Sequence, residues 1–212
     1  MPADSNVFDT AGQRSYWDDR YADGRTGWDV GRPAEPLRAY LEQLTDPTLR
    51  ILIPGAGHAY EAEYAWGRGL RNVHVLDVAP RPLAAFAARV PDFPAEQLIR
   101  DNFFTHDGQY DLILEQTFFC SFPPTPEFRH AYFRRAHELL APGGKLVGLW
   151  FATTDVGQPG QRPFGGTRAE YLTYLAPYFT VRTLEPASNS IAPRAGTELF
   201  GILLRRDAAP RP

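Results

Sequence analysis

Short apolar runs and amphipathic segments alternate through the middle of the chain. The apolar runs predict buried strands at residues 50–53, 73–77, 97–101, 110–115 and 145–151. Segments whose apolar residues recur at helical spacing precede or separate them, at residues 37–44, 59–67, 83–90 and 125–140. Strands that are separated by helices pair in parallel, so this region predicts a parallel sheet with helices on both faces.

The pattern changes towards the C-terminus. Thr167 and Glu170 have the spacing of a capping box and predict one more helix. Two further strands are predicted at residues 179–184 and 198–204, with only the turn-rich residues 186–196 between them, and such strands can pair antiparallel. The expected fold is therefore α/β and Rossmann-like, with a mostly parallel seven-stranded sheet and an antiparallel hairpin at one edge.

Length, charge and cysteine usage narrow the class of protein. A chain of 212 residues can bury one substantial core, and we expect a single domain. Within it, residues 1–45 are predicted to form an aromatic lid and a helix, residues 48–206 the Rossmann-like core and residues 207–212 a tail.

A net charge of -3 without clustered lysines or arginines argues against a nucleic-acid partner. No apolar run reaches the roughly 20 residues that cross a bilayer, and one cysteine fits a reducing cytosol, so we expect a cytoplasmic protein without a membrane partner.

Two glycines stand at residues 51–61, where a predicted strand turns into a helix. Gly55 and Gly57 allow a left-handed backbone and a close approach of a ligand to the main chain. Asp77 closes the next strand, where a carboxylate can accept hydrogen bonds from both hydroxyls of a ribose. Together these residues predict a binding site for a nucleoside cofactor.

The residue three positions after Gly57 helps to decide which cofactor binds. Dinucleotide enzymes have glycine or alanine where the helix packs closely on the strand, and this chain has Tyr60 there. Ala59 instead continues the glycine pattern, which suits a ligand without phosphates. The antiparallel end of the sheet also differs from a parallel dehydrogenase. We therefore expect S-adenosylmethionine, with a nicotinamide-dependent oxidoreductase as an alternative, and assign Tyr60 to the substrate pocket.

Two more segments end predicted strands at the same edge of the sheet. Asp101, Asn102 and Phe103 combine a carboxylate, an amide and an aromatic ring, which can pair with the amino edge of adenine and cover its face. Core packing is the alternative for this segment. Glu115 and Gln116 leave the fourth strand in the crevice where open α/β sheets bind ligands, and can hold the amino acid half of the cofactor.

Aromatic side chains stand after the fourth strand and near the N-terminus. Phe118 and Phe119 are predicted to wall the substrate pocket, unless they form a purely structural cluster. Trp17, Tyr21 and Trp28 can face a sulfonium cation and close over the site, unless they only pin the N-terminus to the core.

Neither a nucleophilic cysteine nor a metal site is indicated. No histidine stands at a recognisable spacing from Cys120. The histidines are scattered along the chain: His58, His74, His106, His130 and His137. We therefore assign no catalytic residue and no metal ligand.

The combination of motifs resembles the thiopurine methyltransferase family, which includes plant and fungal thiol and halide methyltransferases. The resemblance covers residues 16–205 and implies the class I methyltransferase fold with S-adenosylmethionine as cofactor. By position, it implies cofactor contacts from Trp17, Tyr21, Trp28, Gly55, Ala56, Gly57, Asp77, Asp101, Asn102, Phe103, Glu115 and Gln116. Three positions depart from the family pattern. Ala56 replaces a cysteine, Asn102 separates the usual aspartate from its phenylalanine, and Gln116 replaces a tyrosine or arginine, which leaves the substrate open.

The expected reaction is transfer of a methyl group from a sulfonium to a small soft nucleophile: a thiol, sulfide or halide. Such nucleophiles are anionic or nearly so, and catalysis can then come from orientation and exclusion of water. Methyl transfer to oxygen or nitrogen of a small metabolite is an alternative that needs a base, and a cofactor-binding protein without catalysis is another. The expected partner is a small-molecule substrate, and a monomer is consistent with the sequence.

Overall fold

The computed structural model describes residues 10–153 and 161–207. Within these residues the strands are β1 (Ile51–Pro54), β2 (Val73–Asp77), β3 (Leu98–Arg100), β4 (Tyr110–Gln116), β5 (Leu140–Phe151), β6 (Phe179–Pro186) and β7 (Glu198–Arg205). The α-helices are α1 (Thr10–Ala22), α2 (Glu35–Leu41), α3 (Tyr60–Gly67), α4 (Pro80–Arg89), α5 (Pro126–Leu139) and α6 (Arg168–Leu175). The first nine residues of the predicted lid and residues 208–212 of the predicted tail lie outside the described part.

The strands form a seven-stranded sheet in the order β3-β2-β1-β4-β5-β7-β6. Strands β1 to β5 pair in parallel. Strand β7 runs antiparallel to both β5 and β6 and lies between them. The predicted mostly parallel sheet with an antiparallel end is confirmed, and β6 rather than β7 is its edge strand.

Helices cover both faces of the sheet, as predicted. Side chains of successive strand residues point to opposite faces. Ile51 and Ile53 accordingly join one buried cluster with residues of α2, α3 and α4. Leu52 joins the other cluster, to which α5 and α6 contribute.

The predicted helix caps are present, and one strand begins earlier than predicted. Thr125 accepts a hydrogen bond from the backbone N–H of Phe128 at 3.4 Å, and Thr167 accepts one from Glu170 at 3.2 Å. These caps satisfy N–H groups that have no partner within the helix. Strand β5 begins at Leu140 rather than at residue 145, because its first residue already pairs with the start of β4.

The segment predicted as an aromatic lid contains a helix, α1, that the sequence pattern did not predict. Residues 10–22 form a helix, and none of them is buried. The pattern gave no helical signal because a helix that rests on the rim of a site has no apolar stripe towards a core. The helix predicted at residues 37–44 begins earlier, at Glu35, and buries Leu37 and Leu41 completely.

The described ranges, 10–153 and 161–207, contain neither a membrane span nor a metal cluster. No helix there is both long enough and apolar enough to cross a membrane. No group of three or more histidine, cysteine, aspartate or glutamate residues in those ranges is arranged to hold a metal ion.

Candidate active site

Two adjoining cavities lie where the parallel strands end. The larger has a volume of about 550 Å³, and its wall includes Trp17, Tyr21, Trp28, Gly55, Asp77, Asn102, Phe103 and Phe118 from the predicted site. The smaller has a volume of about 50 Å³ and is lined by the predicted residues Ala56, Gly57, Tyr60 and Gln116. Trp28, Gly55 and Thr117 border both cavities. The fold thus brings most of the predicted site together, whereas Asp101, Glu115 and Phe119 line neither cavity.

The turn after β1 depends on its two glycines for both conformation and space. Gly55 and Gly57 have φ angles of 55° and 54°, in the left-handed region that glycine adopts without strain. A Cβ atom on Gly55 would overlap the ring of Phe118, and one on Gly57 would lie 2.6 Å from the hydroxyl of Tyr21. The glycines therefore let the aromatic side chains approach the main chain of the turn.

Asp77 ties the turn after β1 to the turn after β2. Its Oδ2 accepts a hydrogen bond from the N–H of Gly57 at 3.0 Å, and its Oδ1 accepts one from Ala79 at 2.9 Å. Burial raises the pKa of this carboxyl to about 6, while the backbone N–H groups oppose the shift. The group is mainly ionised at pH 7, and each oxygen has a second lone pair for a ligand.

Aromatic rings of the N-terminal segment stand edge-to-face on one side of the larger cavity. The ring centroids of Trp17 and Trp28 are 5.4 Å apart, and those of Tyr21 and Trp28 are 5.7 Å apart. Burial, followed by the negative charge of Asp77, raises the pKa of the Tyr21 hydroxyl. Tyr21 therefore stays a neutral phenol above the glycine turn.

Polar contacts hold this segment in place. Asp18 accepts hydrogen bonds from the backbone N–H and the Nε of Arg81 on α4, at 3.1 and 3.0 Å. The amide of Asn102 donates to the hydroxyl of Thr10 at 2.9 Å. Because α1 has no buried residue and a surface ion pair such as Asp18–Arg81 contributes about 0–1 kcal/mol, this helix is held weakly compared with the core helices.

The predicted adenine segment is divided between the surface and the cavity. The carboxylate of Asp101 accepts from the N–H of Asn102 at 2.7 Å and contacts Nδ1 of His106 at 3.1 Å. Asn102 and Phe103 line the larger cavity. Phe103 stacks on Tyr132 of α5, with centroids 5.3 Å apart. Asp101 thus acts on the shape of the segment, while its two neighbours face the cavity.

Glu115 holds the turn after β4 from below. Its Oε1 accepts hydrogen bonds from the N–H groups of Phe118 and Phe119, both at 2.9 Å. Burial raises the pKa of this carboxyl to about 8. Thr117, between these residues, has a φ of 53°, which costs a residue with a Cβ of the order of 1 kcal/mol. This strained residue lies where the chain passes between the two cavities.

The aromatic run after β4 faces in two directions. Phe118 lies over Gly55 and packs edge-to-face on Phe122 at 4.9 Å. Phe119 is 3% exposed and belongs to the core beneath the cavity. Cys120 borders the cavity, but burial raises the pKa of its thiol, so the thiol stays protonated at neutral pH.

Part of the cavity wall comes from residues that sequence reasoning missed. They lie in α1, after β4, at the end of β5, before α6 and in the connection between β6 and β7: Arg20, Phe122, Phe151, Arg162 and Arg194. Phe151 could have been found, because it ends a predicted parallel strand. The arginines lie outside any strand end and carried no such signal.

Comparison with known proteins identifies the family of the chain. A model of the thiopurine S-methyltransferase family matches residues 12–206. The chain belongs to this family. It is an S-adenosylmethionine-dependent methyltransferase, as predicted, and the choice between this cofactor and a nicotinamide is thereby decided.

Two plant relatives resemble this methyltransferase over most of their length. Probable thiol methyltransferase 2 of Arabidopsis thaliana is 29% identical over 191 residues, covering 87% of this chain and 82% of its own. Thiocyanate methyltransferase 1 of Brassica oleracea is 32% identical over 192 residues, with the same two coverages.

A solved structure confirms the class I methyltransferase fold. It is the 1,6-didemethyltoxoflavin-N1-methyltransferase of Burkholderia thailandensis, with 1,6-didemethyltoxoflavin and S-adenosylhomocysteine bound. The TM-score is 0.74 at 23% sequence identity, and the match covers 98% of this chain and 92% of that one.

Proposed function

We propose that this methyltransferase acts on a small soft nucleophile, namely a thiol, sulfide or halide. The lack of a histidine among the described residues of the larger cavity carries the proposal, since His58, which contacts Asp29 at 2.6 Å, lines only the smaller cavity. In the larger cavity Asp77 already accepts two backbone hydrogen bonds, and the thiol of Cys120 stays protonated. An oxygen or nitrogen acceptor must lose a proton during transfer, whereas a soft anion need not. The thiol and thiocyanate methyltransferases among the plant relatives support the same acceptor class.

The cavity residues fit the cofactor. Asp77 has lone pairs left for ribose hydroxyls, and we assign Asn102 and Phe103 to the adenine. The glycine turn and Gln116 are assigned to the amino acid half. The Gln116 side chain has a buried oxygen without a hydrogen-bond partner among the described residues, which suits a polar ligand group.

The remaining predicted cofactor residues are assigned roles around this core. Ala56 lines the smaller cavity, while Asp101 and Glu115 act through the turns that they hold. When bound, the cofactor supplies a methyl group on a positively charged sulfur. Trp17, Tyr21 and Trp28 supply aromatic faces and exclude water.

A panel of acceptors with a labelled methyl donor tests the proposal. Thiophenol and phenol form a matched pair that differs in the acceptor atom, and thiocyanate, iodide, hydrosulfide and aniline extend the comparison. We expect kcat/KM for the soft acceptors to exceed that for phenol and aniline by at least about 100-fold, the contribution that a missing base would make. Phenol or aniline as the better acceptor would overturn the assignment.

We further propose that the chain is one methyltransferase domain, with residues 1–45 as lid and helix, residues 48–206 as core and residues 207–212 as tail. The single sheet that joins all seven strands supports one domain. We also propose a cytoplasmic location, which the single cysteine fits.

A further inference from the structure

Three arginines border the larger cavity within the described part of the chain, and their charges are balanced differently. Arg194 forms an ion pair with the buried Glu198 at 3.4 Å and donates to the backbone oxygen of Trp28 at 2.8 Å. Arg20 and Arg162 form no ion pair with a described carboxylate. Within residues 10–153 and 161–207, no carboxylate neutralises their positive charges.

The two unpaired arginines meet at one aromatic ring. The guanidinium carbons of Arg20 and Arg162 lie 5.6 and 4.8 Å from the ring centroid of Tyr16, which is 38% exposed at the rim. Arg162 is further held by the backbone oxygen of Ser121, to which its Nε donates at 2.5 Å. Helix α1 and the segment before α6 thus each place a cation against the same ring.

Most N–H donors of these arginines have no acceptor among the described residues and can serve a ligand. An arginine has five N–H donors in a planar fork, and stacking on a ring occupies its face rather than its edge. Arg20 donates to the Tyr16 hydroxyl at 3.4 Å, and its Nε is buried with no hydrogen-bond partner in the described part of the chain. A buried donor of this kind favours an acceptor with negative charge.

The other charges of the cavity do not cancel this pair. Asp77 is the carboxylate in the described wall, and it is held at the glycine turn rather than at the rim. A sulfonium cofactor adds a further positive charge to the cavity. An anion entering the rim is therefore attracted both before and after cofactor binding.

We propose that Arg20 and Arg162 form an anion-capturing pair that makes the enzyme prefer negatively charged acceptors, such as thiocyanate, halides and hydrosulfide, over neutral thiols. The inference rests on the proposed function and narrows its substrate class. The arginines determine specificity because they bind the anionic acceptor. They are expected to change KM for an anion more than kcat.

Kinetics with paired acceptors test the pair. Thiocyanate and the neutral thiol 2-mercaptoethanol are compared at pH 7 and low ionic strength for Arg20→Gln, Arg162→Gln and Arg162→Lys. Arg14→Gln is the matched control, since Arg14 is exposed on the same helix and does not line the cavity. Each glutamine variant is expected to lower kcat/KM for thiocyanate about 10-fold, mainly through KM, with less than about a 2-fold change for the thiol.

The remaining kinetic outcomes separate charge from structure. Arg162→Lys keeps the charge and should retain most of the preference, and added salt should lower kcat/KM of the native enzyme for thiocyanate but not for the thiol. Equal losses for both acceptors would mean that the arginines only hold the lid, and the proposal would be overturned. Unchanged kinetics in both glutamine variants would overturn it too.

Fluorescence quenching provides a readout that needs no turnover. Trp17 lies 5.6 Å from the guanidinium of Arg162, and Trp28 lies 5.3 Å from that of Arg20. In the S-adenosylhomocysteine complex, iodide should quench tryptophan emission less in Arg162→Gln than in the native enzyme, while neutral acrylamide quenches both equally. An unchanged iodide-to-acrylamide ratio would refute the anion pair. A lowered ratio without methylation of any soft acceptor would leave the pair standing and refute the proposed function instead.

Discussion

The buried carboxyl of Glu115 makes a quantitative prediction about stability and pH. The side chain is fully buried, one oxygen accepts two backbone hydrogen bonds, and the other has no partner among the described residues. Glu115→Gln keeps an acceptor oxygen for the N–H groups of Phe118 and Phe119 and removes the titration. The variant therefore isolates the cost of ionising this carboxyl inside the fold.

The sign and size of the effect follow from its pKa, which burial raises from 4.5 to about 8. Between these values the folded enzyme holds a proton that the unfolded chain has released, so the stabilising contribution present at low pH is lost as pH rises towards 8. At about 1.36 kcal/mol per pKa unit, the full loss is about 5 kcal/mol. Above pH 8 both states are ionised, and the contribution no longer changes.

Urea unfolding of the native enzyme and of Glu115→Gln from pH 5 to 9 measures this contribution. The free energy of unfolding of the variant, relative to the native enzyme, should rise by about 4 kcal/mol over that range. The exposed Glu96→Gln variant is the control for removing one carboxyl from the surface. A difference between Glu115→Gln and the native enzyme that stays constant across the range would refute the view of Glu115 as a buried, protonated turn residue.

Three further substitutions test the site. Gly57→Ala should lower the free energy of unfolding by about 1–2 kcal/mol and weaken S-adenosylhomocysteine binding in calorimetry, because its Cβ meets the Tyr21 hydroxyl and its φ is left-handed. Gly67→Ala, which has open space and no positive φ, is its control, and equal effects would contradict the role of the turn. Asp77→Ala should abolish measurable binding of S-adenosylhomocysteine, and unchanged affinity would remove Asp77 from the site. Cys120→Ser should retain kcat within about 3-fold, because a protonated buried thiol is a poor nucleophile, and loss of turnover in a folded variant would contradict this.

Local pattern was enough for most of the sheet. The strands at Ile51–Pro54 and Val73–Asp77 are short, apolar and bounded by turn residues, so their residue types alone predict their burial. The glycines and Asp77 were found together because a strand end, a glycine turn and a carboxylate on the next strand meet at one edge of a parallel sheet.

The directions in which side chains of the turns point could not be predicted from local pattern. Phe118 and Phe119 are neighbours of one residue type, yet the first lies over Gly55 and the second enters the core. The hydrogen bonds from both backbone N–H groups to Glu115, and the left-handed Thr117 before them, set these directions. Such contacts depend on the whole turn rather than on composition.

The sequence by itself determined the order of most strands and helices along the chain, the antiparallel end of the sheet and the cofactor turn. Hydrophobic periodicity, helix capping and glycine conformation each depend on a few neighbouring residues. Only the tertiary structure decided that residues 10–22 form a helix over the cavity and that Arg20 meets Arg162 at Tyr16. Arg162 is far from Tyr16 and Arg20 in the chain, and these residues make polar or aromatic contacts at the rim of the cavity. Residues that face a core show a periodic apolar pattern in the sequence, and residues at the rim do not.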